Sequence, residues 1–204
     1  REDGPAIEYP NGDKAWYIND RLHRMDGPAI EYYDGTKKWY IDDKLDRKDG
    51  PAIEIEGSKF WYINGKYHRE DGPAIEYATG TKEWYINGKK HRDDGPAIEY
   101  SNGTKHWYID GKLHRLDGPA IIQISNNINQ SIPFIGNAEF KCCSKEWYQY
   151  GLKHREDGPA IELYVHGKLH IKDDTRKWFI RGININYTKD IFCALVKECK
   201  KIEK

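Results

Sequence analysis

Residues 61–77 read WYINGKYHREDGPAIEY, and almost the same phrase returns at residues 84–100. It is recognisable at 16–32, 39–55 and 107–121, and in part at 147–163. All seven tryptophans follow this rhythm, and six of them precede a tyrosine. Self-similarity at a fixed short period predicts a protein built by stacking one small structural unit.

The Asp-Gly-Pro-Ala segment measures the period. Its aspartates are Asp3, Asp26, Asp49, Asp71, Asp94, Asp117 and Asp157, at steps of 23, 23, 22, 23, 23 and 40 residues. The short step indicates that one residue is deleted in the turn around Gly57. The long step indicates an insertion at about residues 123–140.

Composition favours an extended structure over a thick core. Hydrophobic residues make up 38% of the chain, whereas a typical domain is about 45–50% apolar, and aromatic residues reach 13%. The formal net charge is zero, which argues against nucleic-acid binding. No apolar stretch approaches the ~18 residues that a membrane span needs.

The four cysteines form no CxxC pair, so we expect free thiols and a reducing, cytoplasmic compartment. The alternative, a zinc site built from Cys142, Cys143 and a distant histidine, has no support from spacing.

Each repeat contains two turn signals, one after Glu-Tyr (Asn11-Gly12) and one after Trp-Tyr-Ile (Asn64-Gly65). Asn-Gly between short alternating runs is typical of hairpins with two-residue type I′ turns. We therefore predict an all-β fold, an elongated single antiparallel β-meander of about seven stacked two-strand hairpins. A short C-terminal helix is expected to cap one end.

A register follows from two-residue turns. With a turn at residues 11–12, Ile7 faces Trp16 and Tyr9 faces Lys14; with a turn at residues 19–20, Trp16 faces His23. Alternation of side chains then places six residues on one face of the sheet: Ile7, Tyr9, Lys14, Trp16, Ile18 and His23.

The Asp-Gly-Pro-Ala segment is interpreted as the connector that folds one hairpin onto the next. Proline cannot donate to a sheet and suits a strand start, and the preceding aspartate can accept backbone N–H groups. The predicted structural positions of the repeat include Asp26, Gly27, Pro28, His68, Arg69, Asp71, Gly72, Pro73, His91, Arg92, Asp94, Gly95 and Pro96.

The stretch NGKYHREDGPAIEYATGTKEWY (residues 64–85) resembles the MORN repeat and, more closely, the MORN-like variant repeats of the YwqK antitoxin type. The resemblance covers about residues 1–182. MORN units carry glycine where this chain has Arg24, Arg47, Arg69, Arg92 and Arg115. The lipid binding of some MORN proteins is therefore not expected to transfer. Arrays with Asp-Gly-Pro-Ala segments resemble those abundant in large DNA viruses of amoebae, which implies a structural role in a virus particle.

The domain organisation follows from where the repeat fails. Residues 1–182 form the repeat array, with the insertion at 123–140 and a degenerate last unit at 157–182. The insertion suits a long hairpin loop, which either binds a partner or is tolerated decoration. Residues 183–204 are predicted to contain a C-terminal helix, which either caps the last sheet edge or docks a partner.

The recurring histidines suggest chemistry, but their spacing does not support it. His23, His68, His91, His114 and His154 share one repeat position, and Asp46 holds it in the second phrase. Stacking separates equivalent positions by about two strands, ~10 Å, so these histidines cannot converge on one metal. The arginine after each histidine and the glutamate of Ala-Ile-Glu are interpreted as a cross-strand charge ladder. No catalytic residue, metal or cofactor is predicted.

The sequence predicts a non-enzymatic scaffold that acts through protein–protein contacts or self-association. The candidate contact surface is the aromatic set of the central repeats: Trp61, Tyr62, Trp84, Tyr85, Trp107 and Tyr108. The insertion at 123–140 is the candidate specificity element. The alternatives are an antitoxin or immunity-type binding protein and a peripheral lipid-binding module.

Overall fold

The computed structural model describes residues 4–125, 142–165, 168–169 and 177–185. Every regular element in these ranges is a β-strand, and the strands pair antiparallel with neighbours in sequence order. This confirms the predicted all-β antiparallel class. The chain divides into two compact units, Arg1–His91 and Arg92–Lys204.

Each complete repeat forms two hairpins rather than one. The sheet hairpin joins its neighbours in a long antiparallel sheet, and the ribbon hairpin is a separate two-stranded ribbon. In the first unit the sheet strands are β1 (Ile7–Glu8), β2 (Lys14–Ala15), β5 (Ile30–Glu31), β6 (Lys37–Lys38), β9 (Ile53–Ile55), β10 (Ser58–Phe60), β13 (Ile75–Glu76) and β14 (Lys82–Glu83). The ribbon strands are β3 (Tyr17–Ile18) with β4 (Arg21–Leu22), β7 (Tyr40–Ile41) with β8 (Lys44–Leu45), β11 (Tyr62–Ile63) with β12 (Lys66–Tyr67), and β15 (Tyr85–Ile86) with β16 (Lys89–Lys90).

The second unit repeats this plan. Its sheet strands are β17 (Ile98–Glu99), β18 (Lys105–His106), β21 (Ile121–Ser125), β22 (Cys142–Glu146), β25 (Ile161–Val165) and β26 (Lys168–Leu169). Its ribbon strands are β19 (Tyr108–Ile109) with β20 (Lys112–Leu113), β23 (Tyr148–Gln149) with β24 (Leu152–Lys153), and β27 (Trp178–Ile180) with β28 (Ile183–Ile185).

The tryptophan of each phrase separates the two hairpins. Trp61 lies between β10 and β11 and belongs to neither strand. Its N–H donates to the carbonyl of Ala74 at 2.8 Å, and its own carbonyl accepts the N–H of His68 at 3.1 Å. The N–H of Trp61 therefore bonds toward the sheet, and its carbonyl bonds toward the ribbon hairpin.

The register of the ribbon hairpin is as predicted. Asn64 and Gly65 have φ of 51° and 72°, as a two-residue type I′ turn requires, and Ile63 pairs with Lys66. The equivalent turn of the first repeat pairs Ile18 with Arg21.

The register of the sheet hairpin differs from the prediction by one residue. Ile7 pairs with Ala15, not Trp16, because the turn contains three residues. Tyr9 donates its N–H to the carbonyl of Asp13 at 2.9 Å, and only Gly12 has a positive φ, of 95°. The predicted face that combined Ile7 with Lys14 is therefore wrong, since Lys14 pairs with Glu8 on the opposite face.

The turn around Gly57 explains the short repeat step, as predicted. Glu56 and Gly57 have φ of 45° and 78°, and Ile55 pairs directly with Ser58. This sheet hairpin has a two-residue type I′ turn where the first has three residues. The deletion therefore shortens the loop and leaves the pairing of the strands intact.

The most deeply buried side chains are the alanines of the Asp-Gly-Pro-Ala segments, not the tryptophans. Ala29, Ala52 and Ala74 of the first unit are fully buried, as are Ala97, Ala120 and Ala160 of the second. Ile75 and Ile98, which follow two of these alanines, are also buried. The seven tryptophans are only partly buried. The core of each unit is therefore thin, as the low apolar content indicates.

The insertion extends a sheet hairpin. Strands β21 and β22 pair over five residues, from Ile121 with Glu146 to Ser125 with Cys142, and β25 pairs with β22 over the same length. Of the predicted insertion at 123–140, residues 123–125 belong to β21 and are not loop, and residues 126–140 lie outside the described residues.

The predicted boundary after residue 182 falls inside the hairpin of β27 and β28, where Trp178 pairs with Ile185. Of the segment 183–204 that was predicted to contain a C-terminal helix, residues 183–185 form strand β28, and residues 186–204 lie outside the described residues.

Candidate functional site

The candidate site is the corner, defined as the His-Arg-x-Asp-Gly-Pro-Ala segment of each phrase together with the glutamate two residues later. In the corner of residues 68–76, Arg69 is the central side chain. Its Nε donates to the Asp71 carboxylate at 2.8 Å, and one Nη donates to both the Pro73 carbonyl and the Glu76 carboxylate at 3.2 Å. The guanidinium carbon lies 4.1 Å from the centre of the Trp61 ring. One planar cation therefore ties the corner to the strand and to the tryptophan.

The same arrangement recurs along the chain. Arg24, Arg47, Arg92, Arg115 and Arg155 each donate to the aspartate two residues on and to the carbonyl of the following proline. All of them except Arg115 also contact a glutamate seven residues on. At Arg115 that position is Ile122.

The main partner of the corner aspartate is a side chain, in addition to a backbone N–H. It was expected to accept backbone N–H groups, yet the main partner of Asp71 is the side chain of Arg69. This hydrogen bond, followed by the charge of Arg69, lowers the pKa of Asp71 below its ordinary value. The pKa of Asp94 and the pKa of Asp117 are lowered for the same two reasons. The carboxylate form is therefore favoured in these corners.

The corner glycine is needed for space. A Cβ added to Gly72 would lie 2.9 Å from the guanidinium carbon of Arg69, closer than side-chain carbons approach one another. A Cβ on Gly4, which holds the same place in the first Asp-Gly-Pro-Ala segment, would meet nothing within 4 Å among the described residues, which begin at Gly4 and leave out Arg1. The glycine thus lets the arginine lie flat against the corner.

The histidine of the corner joins one ribbon hairpin to the next. The Nδ1 of His68 accepts the backbone N–H of Asn87, the first residue of the next ribbon turn, at 3.2 Å. In the second phrase Asp46 accepts the equivalent N–H, that of Asn64, at 2.8 Å. The position therefore requires a hydrogen-bond acceptor, which explains why aspartate can replace histidine.

The same hydrogen bond from a ribbon turn to the corner histidine is present at both irregular parts of the array. His114 accepts the N–H of Tyr150 across the insertion, and His154 accepts the N–H of Arg181 in the degenerate repeat, both at 3.2 Å. A backbone bond from the second turn residue to the previous ribbon accompanies each of them, at 2.8 Å. The described histidine junctions therefore serve the stacking of ribbons.

The glutamates on the sheet are paired with lysines across the strands. Glu76 pairs in register with Lys59 on one side and Lys82 on the other. The predicted contact of arginine with glutamate is present, but it lies within one corner, and the cross-strand charge ladder consists of glutamate and lysine. Exposed pairs of this kind contribute little stability individually.

Two repeats carry a Glu-Tyr-Lys cluster beside the tryptophan. Tyr85 donates its hydroxyl to Glu83 at 2.9 Å, and Lys90 lies 3.4 Å from the same carboxylate. Burial, and then the hydrogen bond with Glu83, raise the pKa of Tyr85, so the phenol stays neutral. Tyr148 makes the same contact with Glu146. A half-buried neutral phenol bonded to a carboxylate supports packing and not acid–base chemistry at neutral pH.

The aromatic residues predicted as a contact surface are only partly exposed. Trp61, Tyr62, Trp84, Tyr85, Trp107 and Tyr108 are all half-buried. Arg69 covers the ring of Trp61, and Arg115 covers that of Trp107 at 4.2 Å. The rings of Tyr62 and Tyr67 are 4.2 Å apart, so the tyrosines pack largely against one another. That these rings form a contact surface stays a prediction.

More exposed apolar side chains lie at positions where the phrases differ. The residue between the corner arginine and aspartate is in turn Met25, Lys48, Glu70, Asp93, Leu116 and Glu156. Met25 is 79% exposed and Leu116 is 74% exposed. The predicted contact surface consists of recurring residues and therefore does not include this variable position, whose variation is visible when the phrases are aligned.

Each of these two exposed side chains lines an open cavity beside a tryptophan. A cavity of about 500 Å³ is bounded by Asp93, Asp94, Trp107, His114 and Leu116. In the first unit, Trp16, Ile18, His23 and Met25 help to line one of about 810 Å³.

Within the part of the chain that the structure describes, no three histidine, cysteine, aspartate or glutamate side chains are arranged to hold a metal ion. Nor do the described residues include a helix that is both long and apolar enough to cross a membrane. The expected lack of metal, cofactor and catalytic residues stays a prediction. Neither protein-family models nor curated proteins gave a match to this chain.

Proposed function

We propose that this chain is a non-enzymatic scaffold that acts through contacts with other proteins. The observation that carries the proposal is how the recurring polar side chains are used. Arg69 and Asp71 bond each other, and His68 bonds the next ribbon turn. Groups bonded in this way hold the repeat together, so the residues that look most like chemistry serve the fold.

The variable, exposed positions supply the contact specificity in this proposal. Residues identical in every repeat cannot distinguish one partner from another, whereas Met25 and Leu116 differ from their charged counterparts and are largely exposed. An apolar side chain that a partner can bury beside a cavity can carry a large share of the binding energy. We infer that Met25 in the first unit and Leu116 in the second unit contact partners.

In its finer form the proposal places the chain among MORN-like repeat proteins, as a structural component of a large DNA virus particle in a reducing compartment. Its support is the resemblance of residues 64–85 to those repeats. The corner arginine supports a distinct variant, because it stacks on a tryptophan and fills space that the glycine of a standard MORN unit would leave open.

Affinity capture from the native source tests the proposal. The wild-type chain is compared with Leu116→Glu and with the control Glu70→Lys, which changes charge at the same repeat position without removing an apolar side chain. We expect one partner to be retained by the wild type and the control and lost with Leu116→Glu. Equal capture by all three would contradict the assignment of Leu116.

The identity of what is captured separates the alternatives. A capsid or tegument protein would support the virion role, and a toxin enzyme would favour the antitoxin-type alternative. Flotation with anionic liposomes in the absence of any protein partner would instead support the lipid-binding alternative.

A further inference from the structure

A cavity of about 450 Å³ lies near the start of the array, in the first unit. Its walls include Tyr9, Tyr17, Tyr32 and Ile30, and Ala15 forms part of its floor. The size lies within the range of small-molecule sites, and three tyrosines are among the residues that line it. No role in the scaffold proposal requires this cavity.

The floor residue holds a position that recurs through the sheet. Ala15 pairs with Ile7 on one side and Ile30 on the other. The residues in the equivalent place, one before each tryptophan and paired with the same isoleucine positions, are Lys38, Phe60, Glu83, His106, Glu146 and Lys177. Ala15 is the member of this set whose side chain ends at Cβ, which is why space opens above it.

Two of the equivalent residues show what this position accommodates. The Phe60 ring lies edge-on to Tyr77, with centroids 5.8 Å apart and planes at 88°. The His106 ring lies edge-on to Tyr100 at 5.2 Å and 72°. Tyr32 corresponds to Tyr77 in the repeat. Edge-to-face contact at these distances is a favourable arrangement of aromatic rings.

Tyr100 also has a counterpart beside the cavity. Tyr9 holds in the first repeat the position that Tyr100 holds in the fifth. The cavity above Ala15 therefore lies between two tyrosines whose counterparts each contact a ring elsewhere in the array. The polar side chains at its rim have partners of their own. Asn11 donates to Asp13 at 3.0 Å, Asp13 accepts the N–H of Tyr33 in the next sheet hairpin at 2.8 Å, and Lys14 lies 3.9 Å from Glu8. An apolar, aromatic ligand suits these walls better than a charged one.

We propose that the cavity above Ala15 binds a single monocyclic aromatic ring, held edge-on by Tyr9 and Tyr32 in the manner of Phe60 against Tyr77. The ring belongs either to a small molecule or to an aromatic side chain of a protein. The chemistry is the same in both cases.

The test is an NMR titration of the full chain with p-cresol, using 4-methylcyclohexanol as a saturated control of similar size. We expect p-cresol to shift the amide signals of Ala15, Tyr17 and Ile30 saturably. The control should bind about 2- to 12-fold more weakly, because it lacks the ring–ring contribution. Shifts that map elsewhere, or equal affinity for the two compounds, would overturn the proposal.

Variants taken from the repeat itself sharpen the test. Ala15→Phe places in the cavity the side chain that the third repeat tolerates, and it should weaken p-cresol binding at least tenfold. Tyr33→Ser changes a 76% exposed side chain outside the cavity and should leave binding unchanged. Phe60→Ala should add a second p-cresol site beside Tyr77. If Ala15→Phe folds and still binds p-cresol like the wild type, the assignment of the cavity is wrong. If Ala15→Phe does not fold, the proposal is tested by the positions of the shifted amide signals in the wild type and by the p-cresol binding of Phe60→Ala.

A third titration distinguishes the two sources of the ring. N-acetyltyrosinamide carries the same ring on a peptide backbone. Binding at least as tight as that of p-cresol indicates a protein side chain, and binding of p-cresol alone indicates a small aromatic molecule. Either result supports the ring site, and binding of neither overturns it.

Discussion

The corner around Arg69 and the corner around Arg115 differ in one partner. Both arginines donate to an aspartate, at 2.8 and 2.9 Å, and to a proline carbonyl, at 3.2 and 3.3 Å. Both also lie over a tryptophan, at 4.1 and 4.2 Å. Arg69 has Glu76 as a further partner, whereas Ile122 occupies that place beside Arg115. The unchanged geometry indicates that the aspartate, the carbonyl and the tryptophan position the guanidinium, and that the glutamate adds charge neutralisation.

The isoleucine also interrupts the charge ladder of the sheet. Ile122 pairs in register with Lys105 and Lys145, where Glu76 pairs with Lys59 and Lys82. The position lies on β21, one of the long strands that lead into the insertion.

The largest expected effect comes from removing each arginine. Arg69→Ala loses two charge-assisted bonds to carboxylates, a bond to a carbonyl and the contact with Trp61, and should destabilise its unit by about 2–4 kcal/mol. Arg115→Ala has no glutamate bond to lose and should cost about 1 kcal/mol less. Hydrogen-exchange protection of the Trp61 and Trp107 amides measures the two losses. Equal losses would mean that the Glu76 contact contributes nothing.

A methyl group at the corner glycine should have the next largest effect. Gly72→Ala forces the Arg69 guanidinium to move and should cost about 1–2 kcal/mol, as overpacking does. Gly4→Ala is the comparison variant, because its Cβ meets nothing within 4 Å among the described residues, and it should change stability by less than about 0.5 kcal/mol. Thermal unfolding followed by tryptophan fluorescence compares the two. A destabilised Gly4 variant would show that backbone freedom, and not space, explains the glycine.

Exchanging the residues that differ tests the comparison directly. Glu76→Ile should lower the stability of the first unit by about 0.5–1 kcal/mol, and Ile122→Glu should raise that of the second unit by a similar amount. Both effects should shrink in 1 M NaCl, because screening weakens partly exposed charge pairs. Urea titrations at two salt concentrations provide the measurement. A loss of stability in Ile122→Glu would show that Ile122 contributes packing that outweighs charge.

The smallest expected effect is on the stability of the protein at acidic pH. The hydrogen bond from Arg69 holds the pKa of Asp71 below its ordinary value of 3.8. The resulting stability is fully present above that value and is lost as the pH falls through the lower folded-state pKa. Asp71→Asn removes this dependence, so its fluorescence-monitored acid unfolding should be less steep below about pH 4. Asp117→Asn should behave alike, since the pKa of Asp117 is lowered for the same reason. Unchanged acid profiles would contradict the role of these carboxylates.

The turns show how far local sequence rules extend. Asn64-Gly65 was predicted as a two-residue turn and is one, because both residues accept positive φ. Asn11-Gly12 contains the same dipeptide but lies in a three-residue turn. The dipeptide fits either loop, and which one forms depends on the pairing of β2 with both neighbours. A local rule therefore located the turn but could not determine its length.

The corner illustrates a second limit. The repetition of Arg69, Asp71 and Gly72 marked them as structural, but their mutual contacts could not be derived from spacing. The arginine reaches Glu76 because the corner reverses the chain between them, and it reaches Trp61 because that residue bonds Ala74. A separation of seven or eight residues along the chain does not by itself indicate that two side chains are in contact.

By itself, the sequence determined the all-β class, the number and phase of the repeats, the deletion at Gly57 and the site of the insertion. These features depend on local turn chemistry and on repetition, which one phrase aligned with the next makes visible. Only the tertiary structure decided that each complete repeat forms two hairpins, that alanines occupy the deepest positions, and that the histidine accepts an N–H from the next ribbon. Those outcomes depend on backbone N–H and carbonyl groups that stacking brings together. Because these groups are the same at nearly every residue, the sequence does not reveal which of them will pair.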